Sequence, residues 1–222
     1  MEHAEKRQFK QELYEQFARI GRCLANGHRL EILDLLAQGE RTVEDLGIDT
    51  DLSTANVSQH LQVLRSARLV KVRRDGLYAF YSLADPAVFS LWQVLRTIGE
   101  THLTEVQHIT DKYLTDRSQL QAICAEELYA LINRNSVTVI DVRPLREYAS
   151  GHIPSARSIP IEELESRLSE LPKGKDIVAY CRGPYCVFAD EAVLLLNRHG
   201  YRAIRLNEGL PDWDLKGLSV EI

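Results

Sequence analysis

Cysteine is scarce in this chain, and long apolar runs are absent. Four cysteines among 222 residues, Cys23, Cys124, Cys181 and Cys186, are too few for a disulfide scaffold, so reduced thiols and a cytoplasmic setting are expected. No apolar stretch approaches the ~20 residues of a membrane-spanning helix. The first ten residues are charged and lack an apolar centre, which argues against a signal peptide. Internal repeats and low-complexity segments are missing as well. What is present, 45% hydrophobic and 27% charged residues, fits a globular protein long enough for two domains. The formal net charge of −5 conceals a basic run, Arg65, Arg68, Lys71, Arg73 and Arg74, with no acidic residue inside it.

The first half reads as helices. Phe9, Leu13, Phe17, Ile20 and Leu24 form a helical stripe. Asn26-Gly27 interrupts it, and a second stripe runs from Arg29 to Ala37 until Gln38-Gly39 stops it. Thr42 can cap a short helix carrying Val43 and Leu46, and Ser53 or Thr54 can cap another whose inner stripe is Val57, His60, Leu61 and Leu64. Two short helices joined by a turn are a helix-turn-helix. Asp75-Gly76 then separates two strand-like runs, residues 69–74 and 77–83, and Asp-Gly in that setting is a strong hairpin signal.

Helix-turn-helix plus hairpin makes a winged helix. His28-Arg29-Leu30, Ser53 to Leu64 and Arg65-Ser66-Ala67-Arg68-Leu69-Val70 resemble the ArsR-type bacterial transcriptional repressors. In that fold the second helix of the pair enters the major groove. Its outward face should show Thr54, Ala55, Asn56, Ser58, Gln59 and Gln62, residue types that read bases or reach phosphates. Arg73 and Arg74 would lie near the wing tip, against the DNA backbone or a minor groove. A continuous helix is expected from Val88 to Tyr113, with apolar residues spaced at threes, fours and one five. The resemblance makes it the dimerisation helix, so a homodimer on a palindromic double-stranded operator follows. His102, His108 and Asp111 on that helix are read as solvated, and residues 41–52 hold no cysteine, so no metal site is expected.

The second half centres on Tyr180–Val187. Ile177–Tyr180 reads as a buried strand ending at Cys181, and a helix follows from Ala189 to Asn197. Strand, cysteine, tight loop and helix aim backbone N–H groups at one sulfur. Such a cradle lowers a thiol's pKa, and Arg182 adds positive charge. Upstream lie Asp141-Val142-Arg143, Glu147-Tyr148-x-x-Gly151-His152-Ile153-x-x-Ala156 and Ile159-Pro160, and downstream Asn207-Glu208-Gly209 with Trp213. In this order they resemble the rhodanese family from about Ala125 to Ile222. The resemblance implies an α/β domain with a central parallel sheet. It also implies Cys181 as the nucleophile that takes sulfane sulfur from a small donor as a persulfide, without a cofactor. The active-site loop would be Arg182, Gly183, Pro184, Tyr185, Cys186 and Val187. Cysteine phosphatases need arginine six residues after the cysteine, and Val187 stands there, which excludes phosphate and arsenate.

The expected architecture is therefore a mainly α winged helix-turn-helix domain over residues 1–114, a linker over 115–124 with Cys124 near a short helix, and an α/β rhodanese-like domain over 125–222. The expected function is a transcriptional regulator, a repressor in the simplest form, that senses or transfers sulfane sulfur. The other reading is a sulfurtransferase whose winged helix serves dimerisation or localisation. Cys186 reads either as a small packing residue at the loop's end or as a thiol that attacks a persulfide on Cys181 and leaves a disulfide, provided the Cα atoms fall within ~7 Å.

Overall fold

Asn26 sets the first corner of the chain. It ends helix α1 (His3–Leu24) and caps α2 (Gly27–Ala37), its side-chain oxygen accepting from the Arg29 amide at 3.1 Å. The computed structural model describes residues 3–114, 117 and 119–222, and it forms two units that divide between Val94 and Leu95. In the first unit, α3 (Val43–Thr50) opens with a capping box in which Thr42 and Asp45 satisfy each other's backbone amides. Ser53 caps α4 (Thr54–Ser66). The core is the inner stripe of these helices, with Ile32, Leu33, Leu46, Val57, Leu61 and Leu64 almost fully buried. β1 (Val70–Asp75) and β2 (Tyr78–Leu83) form the antiparallel wing, pairing Val70 with Leu83 and Asp75 with Tyr78 around Gly76. Arg41 adds a bridge to Tyr81, exchanging both backbone hydrogen bonds.

The helix expected from Val88 to Tyr113 is two helices, α5 (Pro86–His102) and α6 (Thr104–Tyr113). They part at Leu103, whose φ of −107° and ψ of 103° are extended. The five-residue step from Ile98 to Leu103 explains the break. At roughly 100° per residue it would turn Leu103 about 140° off the apolar stripe.

The second unit holds a five-stranded parallel sheet in the order β3-β7-β6-β4-β5. Its strands are β3 (Ala122–Ile123), β4 (Val137–Asp141), β5 (Arg157–Ser158), β6 (Asp176–Tyr180) and β7 (Ala203–Leu206). The helices are α7 (Ala125–Asn133), α8 (Leu145–Ser150), α9 (Ile161–Leu164), α10 (Phe188–Arg198) and α11 (Leu210–Leu215). Ile177 to Tyr180 are fully buried without alternation, the signature of a parallel strand covered on both faces. Ile177, Ala179 and Cys181 pack with α10 on one face, while Val178 and Tyr180 pack with Leu128 and Trp213 on the other. Thr115, Asp116 and Ser118, in the segment expected as linker, lie outside the described residues. The end of that segment is a strand, since Ala122–Ile123 pairs with Arg205–Leu206, and Cys124 is the N-cap of α7. Among the described residues no helix is long and apolar enough to cross a membrane.

Candidate functional site

Helix α4 buries Val57, Leu61 and Leu64 and turns Thr54, Ala55, Asn56, Gln59 and Gln62 outward, with Ser58 partly covered. His60 is half-buried and lies against His28, ring centroids 5.7 Å apart. The outward face is polar and uncharged, as the sequence suggests. The wing differs in one respect. Arg73 is bound to Glu40 at 2.8 Å and to Asp75 at 3.2 Å, and it stacks on Phe80, so part of its charge is already compensated. Arg74 is exposed beside it.

In the second unit Cys181 follows β6, the central strand, and sits at the carboxyl edge of the sheet, where open α/β sheets form their crevices. The motif residues upstream build a buried frame beneath it. Asp141 and Arg143 are fully buried and paired at 2.6 Å. Tyr180 donates its hydroxyl to Asp141 at 2.6 Å, and Arg143 donates to the Gly151 carbonyl at 2.8 Å. Glu147, fully buried, holds Arg182 at 2.7 Å. These side chains orient the loop. Gly209 is required by close approach, because a Cβ there would lie 2.1 Å from the Arg182 carbonyl oxygen.

The loop closes through the Cys186 amide, which donates to the Gly183 carbonyl at 3.1 Å. The Cys181 thiol faces into this turn, 3.6 Å from the Cys186 carbonyl oxygen and 3.9 Å from that of Gly183. Its side chain also interacts with that of Cys186. The amide cradle expected for one sulfur serves two. Gly183 and Ala189 N–H groups point at Cys181, while Arg182 and Phe188 N–H groups point at Cys186. The unpaired amides at the start of α10 thus find partners in both thiols.

This corrects the expectation that the cradle lowers the pKa of Cys181. Burial pushes that thiol well above its ordinary value, and the neighbouring Cys186 charge pushes it further. Cys186 is lowered to about 7, chiefly by the hydrogen bond from Cys181 and then by backbone amides and the Arg182 charge, against the cost of its own burial. The pair therefore ionises once near neutrality, and the charge rests on Cys186. Cys181 is 3% exposed, Cys186 is half-buried, and Tyr185 and Val187 are exposed at the rim.

One participant lies where no motif signals it. Arg117 donates to the Pro184 carbonyl, to the Cys186 carbonyl at 3.2 Å and to Asp190 at 2.6 Å. Asp190, in the first turn of α10, also meets Arg205 at 3.1 Å. Arg117 thus ties the loop to the helix that cradles its sulfurs. The sequence offers only an arginine in a polar stretch, with nothing to mark its partner 73 residues away. Among the described residues no group of three His, Cys, Asp or Glu side chains is placed to hold a metal ion.

A winged helix followed by a parallel α/β domain with a loop cysteine defines a regulator joined to a rhodanese-like module. Residues 26–72 match the model for bacterial regulatory proteins of the arsR family, and residues 125–216 match the model for rhodanese-like domains. The HTH-type transcriptional regulator Rv0324 of Mycobacterium tuberculosis is 44% identical over 212 residues, 96% of this chain and 93% of that protein. A sulfurtransferase of Allochromatium vinosum is 33% identical over 90 residues, 40% of this chain and 83% of that protein. A transcriptional repressor SmtB homolog of Synechocystis is 42% identical over 79 residues, 36% of this chain and 60% of that protein. The chain belongs to the ArsR family of transcriptional regulators, in a form that carries a C-terminal rhodanese-like domain.

Proposed function

We propose that this regulator is a cytoplasmic homodimeric repressor that binds a palindromic operator through α4 and its wing, and that it senses sulfane sulfur as a persulfide on Cys181. The observation that carries the sulfur half is the loop itself, in which Gly183 and Ala189 amides surround the Cys181 sulfur at the carboxyl edge of the sheet. Such donors stabilise the negative charge of a persulfide. The DNA half is supported by the polar, uncharged outward face of α4 and the exposed Arg74, which suit base reading and phosphate contact respectively. Dimerisation is supported by exposed apolar faces on α1, with Phe9, Leu13 and Phe17, and on α5, with Leu91, Val94 and Ile98. Exposed apolar faces of this kind mark an interface.

The alternative, a sulfurtransferase whose winged helix only dimerises or localises it, draws on the relative named a sulfurtransferase. One experiment separates them. The full chain is exposed to thiosulfate or polysulfide, then divided between intact-mass analysis and a DNA-shift assay on operator and random duplexes. Persulfide formation that changes operator binding and is lost in Cys181→Ser supports the regulator. Rapid turnover of thiosulfate without specific DNA binding supports the enzyme. Sulfur addition to Cys181→Ser at the wild-type level overturns the assignment of Cys181.

A further inference from the structure

We propose that Cys186 is the chemical partner of Cys181: it takes the Cys181 proton as sulfur loads, then attacks the loaded sulfur and closes a Cys181–Cys186 disulfide. This rests on the persulfide reading of Cys181 and adds a fate for the persulfide. The geometry that carries it is the shared cradle. The Cys181 thiol faces Cys186, 3.6 Å from its carbonyl oxygen, and the two side chains interact. The amides of Arg182 and Phe188 surround the Cys186 sulfur. Closing a disulfide brings the two sulfurs to about 2.05 Å, a movement confined to one tight loop. A packing residue needs neither the amides nor the contact.

The chemistry balances within the loop. In the loading step Cys181 attacks the outer sulfur of a sulfane donor such as thiosulfate. The Cys181 proton passes to the Cys186 thiolate, Cys181 becomes a persulfide anion and sulfite leaves. In the second step the Cys186 sulfur attacks the inner sulfur of that persulfide. Its proton goes to the outgoing terminal sulfur, and hydrosulfide leaves. The dithiol loses two electrons, and the sulfane sulfur gains them and departs as sulfide. No other oxidant is needed. The charge resting on Cys186 makes it the base of the first step. In the second step Cys186 attacks as it gives that same proton to the departing sulfur, so hydrosulfide and not a free sulfide dianion leaves.

The test is intact-mass analysis of the full chain after thiosulfate or polysulfide, with alkylation to trap free thiols and measurement of released hydrosulfide. Wild type, Cys186→Ala and Cys186→Ser are compared, the serine variant guarding against a packing defect in the alanine variant. Wild type is expected to lose two hydrogens and to release one hydrosulfide per chain. Both Cys186 variants, lacking the base, are expected to load sulfur more slowly, to keep the added sulfur on Cys181 once it is loaded, and to release no hydrosulfide. Wild type that keeps the added sulfur as long as the variants, with no disulfide, overturns the partnership while leaving the persulfide reading intact. No added sulfur on any of the three and no disulfide in wild type overturns both.

Discussion

At the scale of single residues, the loop shows how two thiols divide one charge. Cys181 is the more buried, so its ionised form carries the larger desolvation cost. Cys186 receives the hydrogen bond and the charge. Its pKa of about 7 lies below the roughly 8.5 of a free thiol. A lowered pKa means that the thiolate stabilises the fold above the unfolded value, and that this contribution is lost as pH falls through about 7. Alkylation by iodoacetamide, followed by peptide mapping, should therefore show Cys186 reacting with a midpoint near pH 7, and Cys181 reacting only at higher pH. A Cys186 midpoint at the ordinary thiol value contradicts the shared cradle. Cys186 was visible in the sequence as a second thiol within the loop. Which thiol holds the charge was not, because that depends on relative burial and on which amides face which sulfur.

At the scale of elements, α4 and the wing illustrate the same division. The alternation of buried and outward positions along α4 follows from its apolar spacing, so its outward face was legible from Thr54 to Gln62. The state of the wing arginines was not. Glu40 lies 33 residues from Arg73, and their 2.8 Å pair exists only once the hairpin folds over the end of α2. This sets different expectations for the two sides of the DNA surface. Asn56→Ala and Gln59→Ala should each reduce discrimination between operator and random duplex by about 1–3 kcal/mol if they read bases. Arg74→Ala should weaken binding to both and flatten the salt slope, while Arg73→Ala should have the smaller effect because its charge is partly spent on Glu40 and Asp75. Binding isotherms at several salt concentrations check this, and equal losses on both duplexes for all four variants contradict the roles.

At the scale of the whole molecule, each unit has its own core. Leu46, Leu61 and Leu64 belong to the first, while Leu128, Val178 and Trp213 belong to the second. Each unit also carries one tryptophan, Trp92 bound to Asp34 in the first and Trp213 fully buried in the second. Leu128→Ala should cost the second unit about 2–5 kcal/mol by opening a cavity. Its unfolding, followed through Trp213 fluorescence in a Trp92→Phe background, should shift to lower denaturant. The first unit, followed through Trp92 in a Trp213→Phe background, should unfold as before. Equal shifts in both signals would show one cooperative core.

The sequence alone determined the two-part architecture, the helix-turn-helix with its wing, the buried strand β6 and the position of the loop cysteine that ends it. These rest on local periodicity, capping and turn residues, and spaced motifs, all of which act over a few residues along the chain. Tertiary structure alone decided two other things. Arg117 reaches across the fold to hold the Pro184 and Cys186 carbonyls. The charge of the loop settles on Cys186 because Cys181 is the sulfur buried against α10. Each depends on burial or on a partner distant in sequence, and neither is written in the order of residues.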